Sequence, residues 1–370
     1  MAQDAGRSAI DGPVGTGACT VSAQTLDWSV RAIRIENEML AATILPDKGA
    51  DIYQLIYKPR ALDVLWKSPW GVKGVGRSLP SASQSMPAWL DAYPGGWQLL
   101  FPSGGGPCTY KGIELNFHGE ASMTAWDVAI TALGHDVAEV RLTTRLSRSP
   151  FRLVRTLRVE AGRPILTIRD RIVNEGGEAL DYMWGYHPAL GAPFLSDECR
   201  IDIGARTLYA DDAFDGPWNP LTPDARSPWP LVTRNGKATD MSRVPGRDAP
   251  RHILAYFEDF ESGWYAVTNT ALGFGIGVVW PAELFPYAWF WQEMHASTGY
   301  PWYKGVYTMA IEPCSSIPGQ GLVAVMEKTA SHRILQPGEG HEAEIRAVFY
   351  ESAEGVRHID HDGVVELREE

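Results

Sequence analysis

Apolar residues that alternate at every second position, in short runs cut by glycine and proline, restrict the fold of this chain more than any other feature. In Leu153-Val154-Arg155-Thr156-Leu157-Arg158-Val159, Leu153, Leu157 and Val159 fall on one face. The turn Ala161-Gly162-Arg163-Pro164 follows, and Leu166, Ile168 and Ile172 share a face of the next run. Side chains point to opposite faces along a strand, so this pattern predicts a hairpin. A second hairpin is expected through Ile253, Ala255 and Phe257, a turn near Glu261-Ser262-Gly263, and Trp264, Ala266 and Thr268. Phe274, Ile276, Val278 and Trp280 mark a further strand, and Leu335-Gln336-Pro337-Gly338-Glu339 is a turn before a strand over 343–350. The best helical stretch, Met86 to Ala92, is short, with Pro87 at its start and Pro94 just beyond its end. With 37 Gly and 26 Pro in 370 residues, the sequence predicts an all-β fold, a single large antiparallel β-sandwich over residues 25–355. Residues 1–24 and the charged tail 356–370 are expected at the periphery, and 210–250 as a long excursion.

Composition limits the partners. Asp and Glu total 45 against 33 Lys and Arg, a formal charge of -12. Nucleic acids and anionic membranes need clustered cations, so neither is expected. No secretory leader is recognisable at the start, and no run approaches the roughly twenty apolar residues of a membrane helix. A cytoplasmic protein, monomeric or homodimeric, is the expectation. Cys19, Cys108, Cys199 and Cys314 are scattered without a Cys-x-x-Cys pair, so neither zinc nor a disulfide framework is expected. Gly71-Val72-Lys73-Gly74-Val75-Gly76 has the look of a dinucleotide loop, but no βαβ pattern surrounds it.

Three motifs carry chemistry. Asn116-Phe117-His118-Gly119-Glu120, read as a strand, puts His118 and Glu120 on the same side. In Trp184-Gly185-Tyr186-His187-Pro188 the proline fixes the chain just after a histidine. In Met309-Ala310-Ile311-Glu312-Pro313 a carboxylate sits inside an apolar segment, which raises its pKa toward that of a usable base.

In this order, with the terminal Leu-x-Pro-Gly-Glu hairpin, the motifs resemble the aldose 1-epimerase (galactose mutarotase-like) family. Ala42-Thr43-Ile44-Leu45-Pro46-Asp47-Lys48-Gly49-Ala50 and Trp289-Phe290-Trp291-Gln292-Glu293 fit its less characterised bacterial branch. The resemblance spans about Asn37 to Tyr350. It implies a supersandwich fold and a mutarotase that interconverts the α and β anomers of a sugar. Carried onto this sequence, Glu312 takes the proton of the anomeric hydroxyl, His187 protonates the ring oxygen, and His118 holds and polarises the sugar. Glu120, Gln292, Trp184 and Trp126 are candidate substrate contacts, the tryptophans by stacking on a pyranose face. Two proton transfers need no metal, nucleotide or other cofactor. The pH profile is expected to be a bell bounded below by the carboxylate and above by histidine.

The chain also departs from the family. Phe101-Pro102-Ser103-Gly104-Gly105-Gly106 stands where members carry an Asn-Arg pair, and Ala189-Leu190 replaces an aromatic pair after His187-Pro188. Asp240 is either the family's sugar-binding aspartate or a surface-loop residue, and the loop residue is the favoured reading. The sugar is native, phosphorylated or sulfonated, with Arg77, Arg145, Arg148 and Arg152 as candidate anion contacts. Two other functions fit the same residues: a non-catalytic carbohydrate-binding module, and a metal-dependent sugar isomerase or lyase using His118, Glu120 and His187.

Overall fold

The computed structural model describes residues 13–14, 17–72 and 84–369, so Arg77 and most of the glycine-rich 71–76 loop lie outside it. Strands dominate and build two large sheets, of 13 and 8 strands. Every pairing in them is antiparallel, as alternating apolar faces and tight turns require. The fold is an all-β antiparallel sandwich.

Six strands and one helix position the candidate site. They are β1 (Asp51–Tyr57), α1 (Ser85–Asp91), β2 (Trp97–Leu100), β3 (Gly185–Gly191), β4 (Arg251–Glu258), β5 (Tyr287–Met294) and β6 (Tyr307–Cys314). In the middle of the larger sheet the strands lie in the order β1-β2-β3-β6-β5-β4. The smaller sheet is centred on Phe151–Glu160, Ile165–Asn174, Gly340–Glu351 and Phe274–Trp280.

Between the sheets lies one apolar core. Tyr186, Ile253, Phe257, Phe290, Met309 and Ile311 come from the larger sheet, and Leu153, Leu157, Ile168, Ile276 and Ile345 from the smaller. Arg155 crosses this core. It makes a bidentate pair with Asp170 (2.9 and 2.7 Å) and donates to the Ala50 carbonyl beside β1 at 3.1 Å. Two neighbouring strands of one sheet are thereby bonded to the turn that leads into the other.

The first expected hairpin forms, with Leu153 opposite Ile172 and Leu157 opposite Ile168. The second does not. β4 pairs with β5 in the larger sheet, whereas Gly263–Asn269 pairs with Phe274–Trp280 in the smaller. The intervening turn carries the chain from one sheet to the other, and its residues look locally like those of a hairpin turn. The margins also differ from expectation. Thr20–Leu26 pairs along its length with Val30–Glu36, and Val356–Ile359 forms a hairpin with Val365–Leu367. Val356 and Ile359 are buried against Trp264, Ala266 and Tyr350, because two apolar residues among charges suffice to dock the tail. In the excursion, Leu221, Val232, Met241 and Val244 join the core, and Leu231–Arg234 and Lys237–Asp240 pair.

No helix among the described residues is long and apolar enough to cross a membrane.

Candidate functional site

Strands β3 and β6 are buried on both faces. A strand that only roofed a sandwich would show solvent on alternate residues, so a second layer must cover their outer side. That layer is made of α1, the turn over 116–123 and the loop that joins β5 to β6. Tyr300, in this last loop, donates its phenol to the Pro87 carbonyl and to Asp91 of α1.

Register decides which side chains enter the covered space. Gly185 pairs with Cys314 and Ala189 with Ala310, which carries His187 level with Glu312 on neighbouring strands. Gln98 pairs with His187, and Trp289 with Glu312. Residues opposite one another across antiparallel strands point to the same face, with Cβ atoms about 5 Å apart. Tyr186, one residue from His187, lies beside Asp170 and Arg155 of the smaller sheet. His187 and Glu312 therefore point away from the core, into the covered outer space.

His118 reaches the same place from the 116–123 turn. Its ring lies 5.7 Å from that of His187, edge to face. Trp89 of α1 packs on both, at 4.6 and 6.4 Å, while Tyr93 and Trp291 each stand 5.7 Å from His187. Nδ1 of His118 accepts the Gly105 N–H at 3.0 Å. A neutral ring must then carry its proton on Nε2, where it can donate. This segment is a turn rather than a strand: His118 and Gly119 both have left-handed backbones, at φ 59 and 78. Gly119 has no alternative, because a Cβ there would sit 2.4 Å from the Phe101 carbonyl oxygen.

The left-handed turn sends Glu120 elsewhere. Its carboxylate accepts the Ser147 and Arg148 amides and the Ser149 hydroxyl, each at 2.9 Å. Glu120 is thus a loop anchor and not a substrate contact, and the metal set of His118, Glu120 and His187 does not assemble. Among the described residues no group of three or more His, Cys, Asp and Glu has metal-binding geometry. Gln292 also faces the wrong way. It lies opposite Met309 on the inner face, its amide against the Met309 sulfur. Trp184 packs inward on Phe285 and Tyr186, and Trp126 is buried in the core against Ala121. Parity along β5 settles this: Trp289, Trp291 and Glu293 point outward, so Gln292 cannot. Asp240 is exposed and accepts the Ser242 amide and hydroxyl, which makes it a turn residue. Arg145 and Arg152 pair with Glu175, and Arg148 donates to Glu114 and Asn116. Trp89, Tyr93, Gln98 and Asp51 line the site without any local sequence signal; only strand register could have found the last two.

Electrostatics single out the pair. Glu312 is 3% exposed and His187 5%, yet Glu312 Oε2 and His187 Nδ1 have no hydrogen-bond partner. Burial without compensation pushes the Glu312 carboxyl well above its usual range. Burial pushes the His187 imidazolium down to about 4. His118 is held well below 6.5 by burial and by its neighbour His187. Between the two limits the pair binds one proton, and that proton rests on Glu312. The order of the two titrations is therefore the reverse of the expected one: His187 lies on the acid side and Glu312 on the alkaline side.

The same shifts act on stability, with opposite signs. His187, lowered from 6.5, contributes stability that is present above that value and lost as pH falls toward 4. Glu312, raised from 4.5, contributes stability that is present at low pH and lost as the folded carboxyl ionises. The unfolding free energy of E312Q should fall less than that of the wild type as pH rises from 4.5 to 9. Parallel denaturant titrations across that window check it, and identical slopes would contradict the burial of an ionisable carboxyl.

Known proteins resemble this one chiefly in shape. A structure from Klebsiella pneumoniae entitled "putative aldose 1-epimerase" superimposes with a TM-score of 0.68 at 17% identity, over 93% of this chain and 89% of that one. A galactose mutarotase-like protein from Clostridium acetobutylicum gives 0.62 at 15%, over 90% and 98%. A galactose mutarotase related enzyme from Lactobacillus acidophilus gives 0.57 at 17%, over 87% and 98%. Identities this low establish the fold and no more. No curated protein matches the sequence. One sequence family, described as a domain of unknown function (DUF4432), matches residues 27–222, more than half of the chain, and the protein belongs to it.

Proposed function

We propose that this protein is an aldose 1-epimerase-like mutarotase that interconverts the anomers of a sugar by acid–base ring opening. The observation that carries this reading is the level placement of His187 and Glu312 on adjoining strands, each enclosed and each with an unpartnered polar atom. Such groups cost about 1–3 kcal/mol apiece when nothing binds them, which a scaffold residue has no reason to bear.

The chemistry follows from their protonation. Sugar hydroxyls entering the site donate to Glu312, stabilise its carboxylate and lower its pKa, so the shared proton moves to His187. Glu312 then removes the proton of the anomeric hydroxyl while His187 delivers one to the ring oxygen. The C1–O5 bond breaks and an aldehyde forms at C1. Rotation about the C1–C2 bond presents the other face of the aldehyde. O5 attacks it, returns its proton to His187, and the carbonyl oxygen recovers one from Glu312. Proton count and charge are unchanged over the cycle. His118, donating from Nε2, holds the ring oxygen in line.

A panel of freshly dissolved aldoses, native, phosphorylated and sulfonated, followed by polarimetry, tests the proposal. At least one sugar should reach anomeric equilibrium faster than in buffer, at a rate proportional to protein concentration. Saturable sugar binding with no acceleration for any sugar would leave the non-catalytic binding module in its place.

A further inference from the structure

The row that contains His187 and Glu312 does not end with them. Gln98 pairs with His187, and Asp51 is level with Gln98, since Ile52 pairs with Trp97. The side chains agree with the register: Gln98 Nε2 donates to Asp51 Oδ2 at 2.8 Å. Lys48 Nζ donates to the same oxygen at 2.8 Å and to the Ser122 carbonyl. Ser122 Oγ in turn accepts the Trp89 indole N–H, which ties this end of the row to the aromatic cover. Tyr93 closes the space from above, with its ring against His187 and its phenol near both Glu312 and Asp51.

Three polar atoms here are enclosed and unpartnered: Asp51 Oδ1, Gln98 Oε1 and the Tyr93 hydroxyl. Gln98 and Asp51 are 0% exposed. The free amide atom of Gln98 must be its oxygen, because the nitrogen faces a carboxylate. Amide and carboxylate oxygens only accept hydrogen bonds. Whatever satisfies them has to bring donors.

We propose that Gln98, Asp51 and Tyr93 form a subsite beside the acid–base pair that recognises free hydroxyls on one edge of the sugar and excludes a phosphate or sulfonate there. The inference rests on the mutarotase reading and names its substrate class: a neutral polyhydroxy aldose, at least along this edge. Sugar hydroxyls donate to both acceptors, and the Tyr93 hydroxyl donates or accepts as the ligand requires. A phosphate or sulfonate offers oxygens alone and would leave both acceptors without a donor.

Monodeoxy analogues of the best sugar, assayed with the wild type, Q98L and Y93F, test the subsite. In the wild type, deletion of one hydroxyl should lower kcat/KM by about tenfold or more, because polar groups in the site are left unpaired. Q98L should raise KM for the parent sugar by a similar factor with less change in kcat. In Q98L that same deoxy analogue should lose its disadvantage, while other deoxy positions keep theirs. Thermal unfolding establishes that each variant folds; if Q98L does not, Y93F, which removes one oxygen atom, decides by the same criterion. Folded variants with unchanged KM and unchanged deoxy penalties would overturn the proposal, as would faster turnover of a sugar phosphorylated at the sensitive position. Absence of exchange with every sugar would remove the mutarotase reading but not end the test, because binding can be titrated directly by ligand-observed NMR. Binding that depends on one hydroxyl through Gln98 would then support the subsite, and absence of binding would refute it.

Discussion

Replacing Glu312 by glutamine should lower kcat for anomer exchange by about a hundredfold or more while KM changes much less. The amide keeps the size of the side chain but cannot take the proton of the anomeric hydroxyl. A hundredfold corresponds to about 2.7 kcal/mol of transition-state stabilisation, within the range expected for a positioned general base. His187→Asn should cost a comparable factor. The double variant should be little worse than either single one, because proton removal and proton delivery belong to one ring-opening event and either lesion stops it. His118→Asn differs in kind: its inferred task is to hold the ring oxygen, so KM and kcat should both deteriorate. Steady-state exchange rates for the wild type and these variants are sufficient. Losses that multiply in the double variant would mean that the two side chains act independently.

The second large effect concerns the core. Asp170→Leu should destabilise the protein by about 3–5 kcal/mol, because it leaves the Arg155 guanidinium charged and unpaired in the interior. Replacing both partners, as Arg155→Met with Asp170→Leu, should recover much of that loss, since well-packed apolar residues often substitute for a buried ion pair. The Arg155 bond to the Ala50 carbonyl would still be missing. Because Ala50 precedes Asp51, the double variant should fold and yet bind sugar more weakly. Denaturant unfolding and KM values, measured together, separate the two consequences.

Much of the fold is legible in the sequence, because period-two alternation and turn residues are local properties. The hairpin of Phe151–Glu160 with Ile165–Asn174 follows directly from them. The second expected hairpin shows their limit. Residues 259–263 have the composition of a tight turn, but which sheet the next strand joins depends on partners far away in the chain. His187 and Glu312, the proposed acid–base pair, are legible for a different reason. A histidine before proline and a glutamate in an apolar strand contradict the burial expected of their segments, and such contradictions concentrate at functional sites. Gln98 and Asp51 carry no such mark: they join the site only because β1, β2 and β3 align in register. Glu120 and Gln292 fail for complementary reasons. A left-handed turn at His118 turns Glu120 away, and the sequence parity of β5 does not reveal which of its faces is outermost.

One measurement addresses the central claim most directly. Two-dimensional exchange NMR of an equilibrated aldose at neutral pH, recorded with wild-type protein and with E312Q at equal concentration, reports interconversion of the anomers without any coupling enzyme. The wild type should give cross-peaks between the α and β anomeric protons that grow with protein concentration, and E312Q should give only the exchange seen in buffer. Equal cross-peaks from the two proteins, or none from the wild type with any sugar that binds, would contradict the assignment of Glu312 and His187 as the groups that open the ring.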